Sequence, residues 1–547
     1  MKATWLALAA WLLIGAAATE PKRGLAKVTV RMAPEGVNAR FQLHRAVTEF
    51  AFAAADVVRE GEFELLTPGL TFAGDKVTAA RPFRSFALRI RAMAQERDAK
   101  YPAHFRIGAG GVVYAPALKG EEQAWRTRLS FRTRPGEARV GGGKEDDGFV
   151  FLGPKILVAQ DAQLTVIADP KAPQWLVARS RSALAAAVTG YTAALGARLP
   201  TKPLLIVKHE PGERNFNVGD ATPGAVTILR FHGAAWEKED AQAAKNIQSF
   251  VLHEAFHFWN GGLATSGSDT PAWLHEGGAE YAALLAGVAG GLLSEADAAR
   301  SLGEALQRCR TSLQASGDKA LGAYEFLPAQ LRYPCGMAIQ WAADLQIRRA
   351  SGGTRTVLDA WRTTIETARR RENRSYALGD FYTAAGLTAE ETLPPIRLLV
   401  QVGGAHRWEE LPAALNALGA EVAQIPSPVG RRAALLFHLL RENCPDLAKG
   451  AGYGFYIDGT TVKLDAPKGC GVLADNPVLK AIEGGDPFGM SLETYAAVQR
   501  KCAAKAPVTV TTADGRRLEA HCAAPLADAP RDYLVKRWRS GPHQPLG

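Results

Sequence analysis

Between about residues 19 and 170 the chain alternates apolar and polar positions, as in Lys27-Val28-Thr29-Val30-Arg31 and Ser85-Phe86-Ala87-Leu88-Arg89-Ile90. Successive residues of a strand face opposite sides of a sheet, so Phe86, Leu88 and Ile90 share one face. Glycine and proline cut these runs into short strands, which predicts an antiparallel β-domain of sandwich type. Within it, Gly141-Gly142-Gly143-Lys144 lacks the earlier glycine of a phosphate loop. Glu145 also stands where a magnesium-binding Ser or Thr belongs. The run reads as a hairpin turn.

From Pro173 to about Ala197 the period becomes helical, and two apolar strands follow, Pro203 to Val207 and Ala225 to Phe231. A helix is predicted from about Asp240 to Trp259, then a Gly/Ser/Thr loop from Gly261 to Thr270. Asp269 or Thr270 can cap the next helix, and Pro271 suits its first turn. Residues 294 to 400 carry Ala- and Leu-rich amphipathic stretches. Past Gly403 the texture changes to short strands around Tyr453 to Gly459 and Val508 to Thr512, one helix near Leu492 to Lys501, and a turn at Asp514-Gly515. The expected class is α+β with several domains: a leader at 1–18, a β-sandwich-like domain at 19–170, a central α+β domain at 171–403 and a small module at 404–547.

Composition narrows this little. The 547 residues, 47% apolar and 22% charged, are those of ordinary globular domains, and the net charge of +10 is spread along the chain. No basic stripe or RNA-binding motif is present, so a nucleic-acid partner is not expected. Met1-Lys2 and the apolar run to Ala18 read as a secretory signal peptide cleaved after Ala18, with a retained signal anchor as the alternative. No Cys follows that run to take a lipid, and no later segment is apolar enough to span a bilayer. A periplasmic or secreted protein without stable membrane insertion is therefore expected. Six cysteines, all in the second half, suit disulfides in an exported chain, and the absence of any CxxC pair argues against a zinc finger. Proximity suggests Cys309–Cys335, Cys444–Cys470 and Cys502–Cys522 among fifteen connectivities.

The chemistry concentrates in His253-Glu254-Ala255-Phe256-His257 and in Trp273-Leu274-His275-Glu276-Gly277. Positions i and i+4 share a helix face, so both imidazoles can converge on one cation while Glu254 is offset. Glu276 on a second helix completes a His2Glu set for Zn²⁺ and leaves one position open, which distinguishes a catalytic from a structural zinc site. Zinc so held activates water and polarises a carbonyl. Glu254 would serve as general base and then as general acid to the leaving nitrogen. Phe250, Val251, Leu252, Ala255, Phe256 and Phe258 surround these groups, and polar side chains in such company need partners.

HExxH followed after eighteen residues by Glu resembles the gluzincin peptidases, in their aminopeptidase N-like and glycyl aminopeptidase-like branches. Phe258-Trp259-Asn260 and the Trp273–Gly277 run are similar to segments of those branches, with His275 replacing the usual Asn. The resemblance implies a thermolysin-like catalytic domain, one Zn²⁺ on His253, His257 and Glu276, and Glu254 as acid/base. It also implies an oxyanion donor in a YxxG sequence, for which Tyr333-Pro334-Cys335-Gly336 stands at the right place; a disulfide at Cys335 would help fix Tyr333. One departure matters. Where the aminopeptidases have a GAMEN strand, this chain has Gly224-Ala225-Val226-Thr227-Ile228, so Gly224 and Ala225 are expected at a substrate-pairing edge and the amine-anchoring glutamate is replaced by Thr227. Aminopeptidase and endopeptidase action both stay open. The Val478-to-Gly484 run with the later helix and strand resembles a PDZ domain, which implies a peptide ligand for the module.

The expected partner is thus a peptide or protein substrate. The rival readings are a catalytically weak pseudo-peptidase that binds peptides through the PDZ-like module, and a zinc hydrolase of non-peptide esters or amides.

Overall fold

The computed structural model describes residues 23–54, 56–94, 101–142, 147–212, 215–387, 393–444 and 453–539. The expected leader at 1–18 and residues 143–146 of the glycine turn lie outside the described residues. The chain divides into two compact units, Met1–Val188 with Arg198–Leu263, and Thr189–Ala197 with Ala264–Gly547.

In the first unit the alternation places side chains as a half-buried sheet requires. The strand Gly24–Ala33 buries Ala26, Val28 and Val30, and Lys76–Ile90 buries Phe86, Leu88 and Ile90. Their six-stranded sheet runs in the order Trp125–Arg132, Gly24–Ala33, Gly36–Ala51, Lys76–Ile90, Phe63–Leu65, with Thr71–Ala73 also paired to Lys76–Ile90. Two pairs correct the antiparallel expectation, the short Val57–Val58 with Tyr101–Pro102 being parallel as well. Gly24–Ala33 and Trp125–Arg132 run parallel, because the intervening chain visits a second sheet before it returns. That second sheet, ordered Glu137–Gly141, Phe149–Pro154, Gly110–Tyr114, His104–Ile107, shares one apolar core with the first. Phe41 stacks on Phe86 at 4.3 Å between centroids and meets Phe50 and Phe52 edge-on, favourable geometries for aromatic pairs.

A third, mixed sheet is ordered Val158–Gln160, Thr165–Ala168, Leu204–Glu210, Val226–His232, Phe216–Thr222. Its central strands are parallel, and helix α1 (Gln174–Leu195) provides the crossover between Thr165–Ala168 and Leu204–Glu210. Helix α2 (Ala241–His257) starts at Asp240, whose carboxylate accepts from the Gln242 and Ala243 amides at 2.8 and 2.7 Å. These bonds satisfy two otherwise orphaned donors.

The second unit is mainly helical: α3 (Ala272–Ala289), α4 (Glu295–Ala315), α5 (Ala329–Ala350), α6 (Val357–Arg369), and shorter helices at Leu378–Ala385, Pro394–Val400 and Arg407–Ala417. Asp344, fully buried on α5, accepts from Tyr281 Oη on α3, Arg348 Nε and the Val357 amide at 2.9, 2.7 and 2.7 Å. One carboxylate thus ties three helices together.

The strand Glu421–Pro426 pairs with Arg531–Arg537, which lies against α4. Between these strands the chain builds a module with its own core: the helix Pro428–Asn443, a five-stranded antiparallel sheet and the helix Leu492–Ala503. The expected strand Val508–Thr512 and its turn into Arg517–Ala520 are present. The three bridges join Cys309 to Cys335, Cys444 to Cys470 and Cys502 to Cys522, as proximity suggests. Among the described residues no helix is long and apolar enough to cross a membrane.

Candidate metal centre

In the first unit, α2 turns His253 and Glu254 inward, each less than one-tenth exposed, among Val251, Leu252, Ala255 and Phe256. His253 Nε2 and His257 Nε2 lie 3.2 Å apart, with the ring planes at 80°. Two nitrogens bonded at about 2.0–2.1 Å to one tetrahedral Zn²⁺ are separated by about 3.3 Å, so the pair is spaced as a shared cation requires. After His257 the backbone passes into a π-helical stretch, Phe258–Leu263, which brings fully buried Asn260 back to it. His257 Nδ1 donates to Asn260 Oδ1 at 2.8 Å, leaving Nε2 with its lone pair for a metal. In the sequence Asn260 stands out only through the Phe258-Trp259-Asn260 resemblance. Its signal was a carboxamide three residues beyond a ligand-type histidine, within reach on a helix.

The expected substrate edge needs correction. Val226–His232 is an interior strand, hydrogen-bonded to Leu204–Glu210 on one side and Phe216–Thr222 on the other, and Thr227 is fully buried. Gly224 and Ala225 form the tight turn before it, both at positive φ (86° and 58°). Their carbonyls accept from Thr201 Oγ1 at 2.8 Å and the Leu204 amide at 2.9 Å. Both carbonyls are thus engaged within the sheet and its turn.

The edge of this sheet on that side is Phe216–Thr222, the strand before the turn, and it lies directly on the HExxH helix. A Cβ on Gly219 would stand 2.7 Å from Glu254 Oε1 and 2.3 Å from Phe250 Cζ. Asp220, next to Gly219, is bound by the buried Arg230 guanidinium at 2.5 Å. Tyr101, from the β-domain, lies in the same field: burial pushes its phenol well above the usual range, and Asp220, Tyr114 and Glu254 add to the shift. Nothing in the local pattern around residue 101 announces this, because the neighbours come from distant strands.

In the second unit, Glu276 stands in the second turn of α3, partly exposed. The expected cap at Asp269 or Thr270 does not form; the N-cap is Pro271. The Thr270 hydroxyl binds the Tyr376 carbonyl instead, at 2.6 Å. Gly277, adjacent to Glu276, meets Gly336 of α5 backbone to backbone: a Cβ on Gly336 would fall 2.4 Å from the Trp273 carbonyl oxygen and 2.7 Å from Gly277 Cα. Tyr333 lies one turn before Gly336, so this close approach sets the α3 turn bearing Glu276 beside the α5 turn bearing Tyr333. Cys335, between them in sequence, is anchored to α4 by its bridge to Cys309.

An aminopeptidase N family protein from Idiomarina loihiensis, 12% identical, superposes with a TM-score of 0.53 over 94% of this chain and 100% of its own. The two share a fold. Legionella pneumophila aminopeptidase A in complex with aspartic acid (10% identical, TM-score 0.42) matches over 69% of this chain and 49% of its own. Native yeast LTA4 hydrolase (12% identical, TM-score 0.40) matches over 70% and 68%. No protein-family model and no curated protein matches the chain.

Proposed function

We propose that the protein is an exported zinc-dependent metallopeptidase. The observation that carries this reading is the 3.2 Å approach of His253 Nε2 and His257 Nε2, with His257 held by Asn260. Glu276 is read as the third ligand on the strength of the HExxH-x18-E spacing, and two neutral imidazoles with one carboxylate suit Zn²⁺. The fold shared with an aminopeptidase N family protein supports a hydrolase. Three disulfides support export.

Zinc, when bound, supplies Lewis acidity to the scissile carbonyl and to water. The remaining steps belong to the chain. An extended peptide aligns along Phe216–Thr222, an edge strand of its sheet among the described residues, through backbone donors and acceptors. Glu254, confined by Gly219, takes the proton of the attacking water and hands it to the leaving nitrogen, since an amine leaves only once protonated. Tyr333 donates to the developing oxyanion.

The test is Glu254→Gln in the purified protein, with metal content and peptide cleavage read together. We expect one zinc per chain in both proteins and a fall in cleavage of at least about 10²-fold in the variant. Equal cleavage by the variant would remove Glu254 from the reaction, and absence of zinc from the wild type would refute the site. Free and N-acetylated peptides compared side by side distinguish aminopeptidase from endopeptidase action.

A further inference from the structure

We infer that Tyr376 is a positioning residue for Glu276, clasping the segment that carries it into place; this rests on reading Glu276 as a zinc ligand. The polypeptide between Leu263 and α3 has little regular structure of its own, only the two-residue strand Thr265–Ser266. What secures it comes from residues far along the chain. Thr265–Ser266 pairs in parallel with Ser375–Tyr376, and the Thr265 amide donates to the Arg374 carbonyl at 2.9 Å. The Tyr376 carbonyl then accepts twice, from the Gly267 amide at 2.9 Å and from Thr270 Oγ1 at 2.6 Å. The Tyr376 hydroxyl reaches past the start of the helix to bind His275 Nδ1 at 2.7 Å. One residue therefore fastens the loop, the position before the N-cap and the residue adjoining Glu276.

Tyr376 is itself fixed. It is 1% exposed, and its ring meets Trp361 edge-on at 5.6 Å. Trp361 Nε1 donates to Gln340 Oε1 on α5 at 3.1 Å. The Trp361 ring also abuts Gly278 on α3, where a Cβ would fall 2.4 Å from Cζ2. The clasp thus rests on α5 and α6 and transmits their rigidity to the first two turns of α3. A ligand held this way loses little freedom when metal binds, and groups that orient metal ligands typically contribute 10- to 100-fold in metal affinity.

The experiment compares the full-length wild type with Tyr376→Phe, His275→Ala and the double variant. Tyr376→Phe keeps the ring and both carbonyl bonds and removes only the phenol–imidazole bond. Zinc affinity is read by chelator competition, and the visible spectrum of the Co²⁺-substituted protein reports ligand geometry. We expect about a ten-fold rise in zinc Kd for Tyr376→Phe, a shifted Co²⁺ spectrum at unchanged Tm, and a double variant no worse than the poorer single one. A zinc Kd within two-fold of wild type, or fully additive single effects, overturns the clasp. Hydrogen exchange of the metal-free proteins gives a readout independent of zinc. Amides of residues 265–276 should exchange faster in Tyr376→Phe, and unchanged exchange there also overturns it. A wild type that binds no zinc would count against the zinc reading, while the exchange comparison still decides the clasp.

Discussion

The backbone contact between Gly277 and Gly336 makes the site sensitive to a single methyl group. Gly336→Ala would place a Cβ 2.4 Å from the Trp273 carbonyl oxygen and 2.7 Å from Gly277 Cα, where ordinary contact begins at 3.4 Å. The shortfalls are about 1.0 Å and about 0.7 Å, and no flexible side chain is there to absorb them: both obstacles are main chain. Helices α3 and α5 must separate by most of that amount at the turn bearing Glu276. Metal–ligand distances tolerate about 0.2 Å, and misplacement by about 1 Å costs on the order of 10²-fold in rate. We therefore expect kcat/KM to fall about 10²-fold and zinc affinity to drop with it. Overpacking should also lower stability by about 1–3 kcal/mol. Peptidase kinetics, chelator competition and urea denaturation measured on one preparation check all three. Cleavage within two-fold of wild type, in a folded variant, would refute the reasoning that this contact sets the position of Glu276.

Two further outcomes concern stability. His104 is fully buried in the β-domain; burial, with the positive charge of Arg106 adding to it, pushes its pKa down to about 4. A depressed histidine favours the folded state above the unfolded pKa of about 6.5, and that advantage is lost as pH falls toward 4. A shift of about 2.5 units corresponds to about 3 kcal/mol, so denaturant titrations at pH 7 and pH 4 should differ by that much more in the wild type than in His104→Leu; equal pH dependence would contradict it. Asp344→Asn leaves the buried Arg348 guanidinium without its counter-charge. A loss of about 3–5 kcal/mol in urea unfolding is expected, and a loss below about 1 kcal/mol would show that Asp344 does not hold the helices.

Local pattern was enough to place many of the elements, though it missed the strand Phe216–Thr222 and the helix Pro428–Asn443. Period-two alternation located the strands carrying Val28 and Val30 or Phe86, Leu88 and Ile90, and the i, i+4 spacing put His253 and His257 on one face, because both signals arise from the geometry of a single segment. Cysteine proximity chose the three bridges for a similar reason: each joins positions only 20 or 26 residues apart along the chain.

Where partners come from distant parts of the chain, the pattern misled or was silent. Val226–His232 looks like any apolar strand, and only sheet order shows that it is interior and that Phe216–Thr222 holds the edge. Thr270 precedes a helix and has the chemistry of a cap, yet its hydroxyl bonds to Tyr376, more than a hundred residues later. Asn260, Tyr101 and the Gly277–Gly336 contact likewise depend on where the backbone folds back on itself. The amino-acid order by itself determined which side chains are available for metal and proton chemistry. Tertiary structure decided which strand edge is open, what orients His257, and what fastens the helix of Glu276. Hydrogen bonds and packing act over a few ångströms of space, and separation along the chain does not reveal that distance.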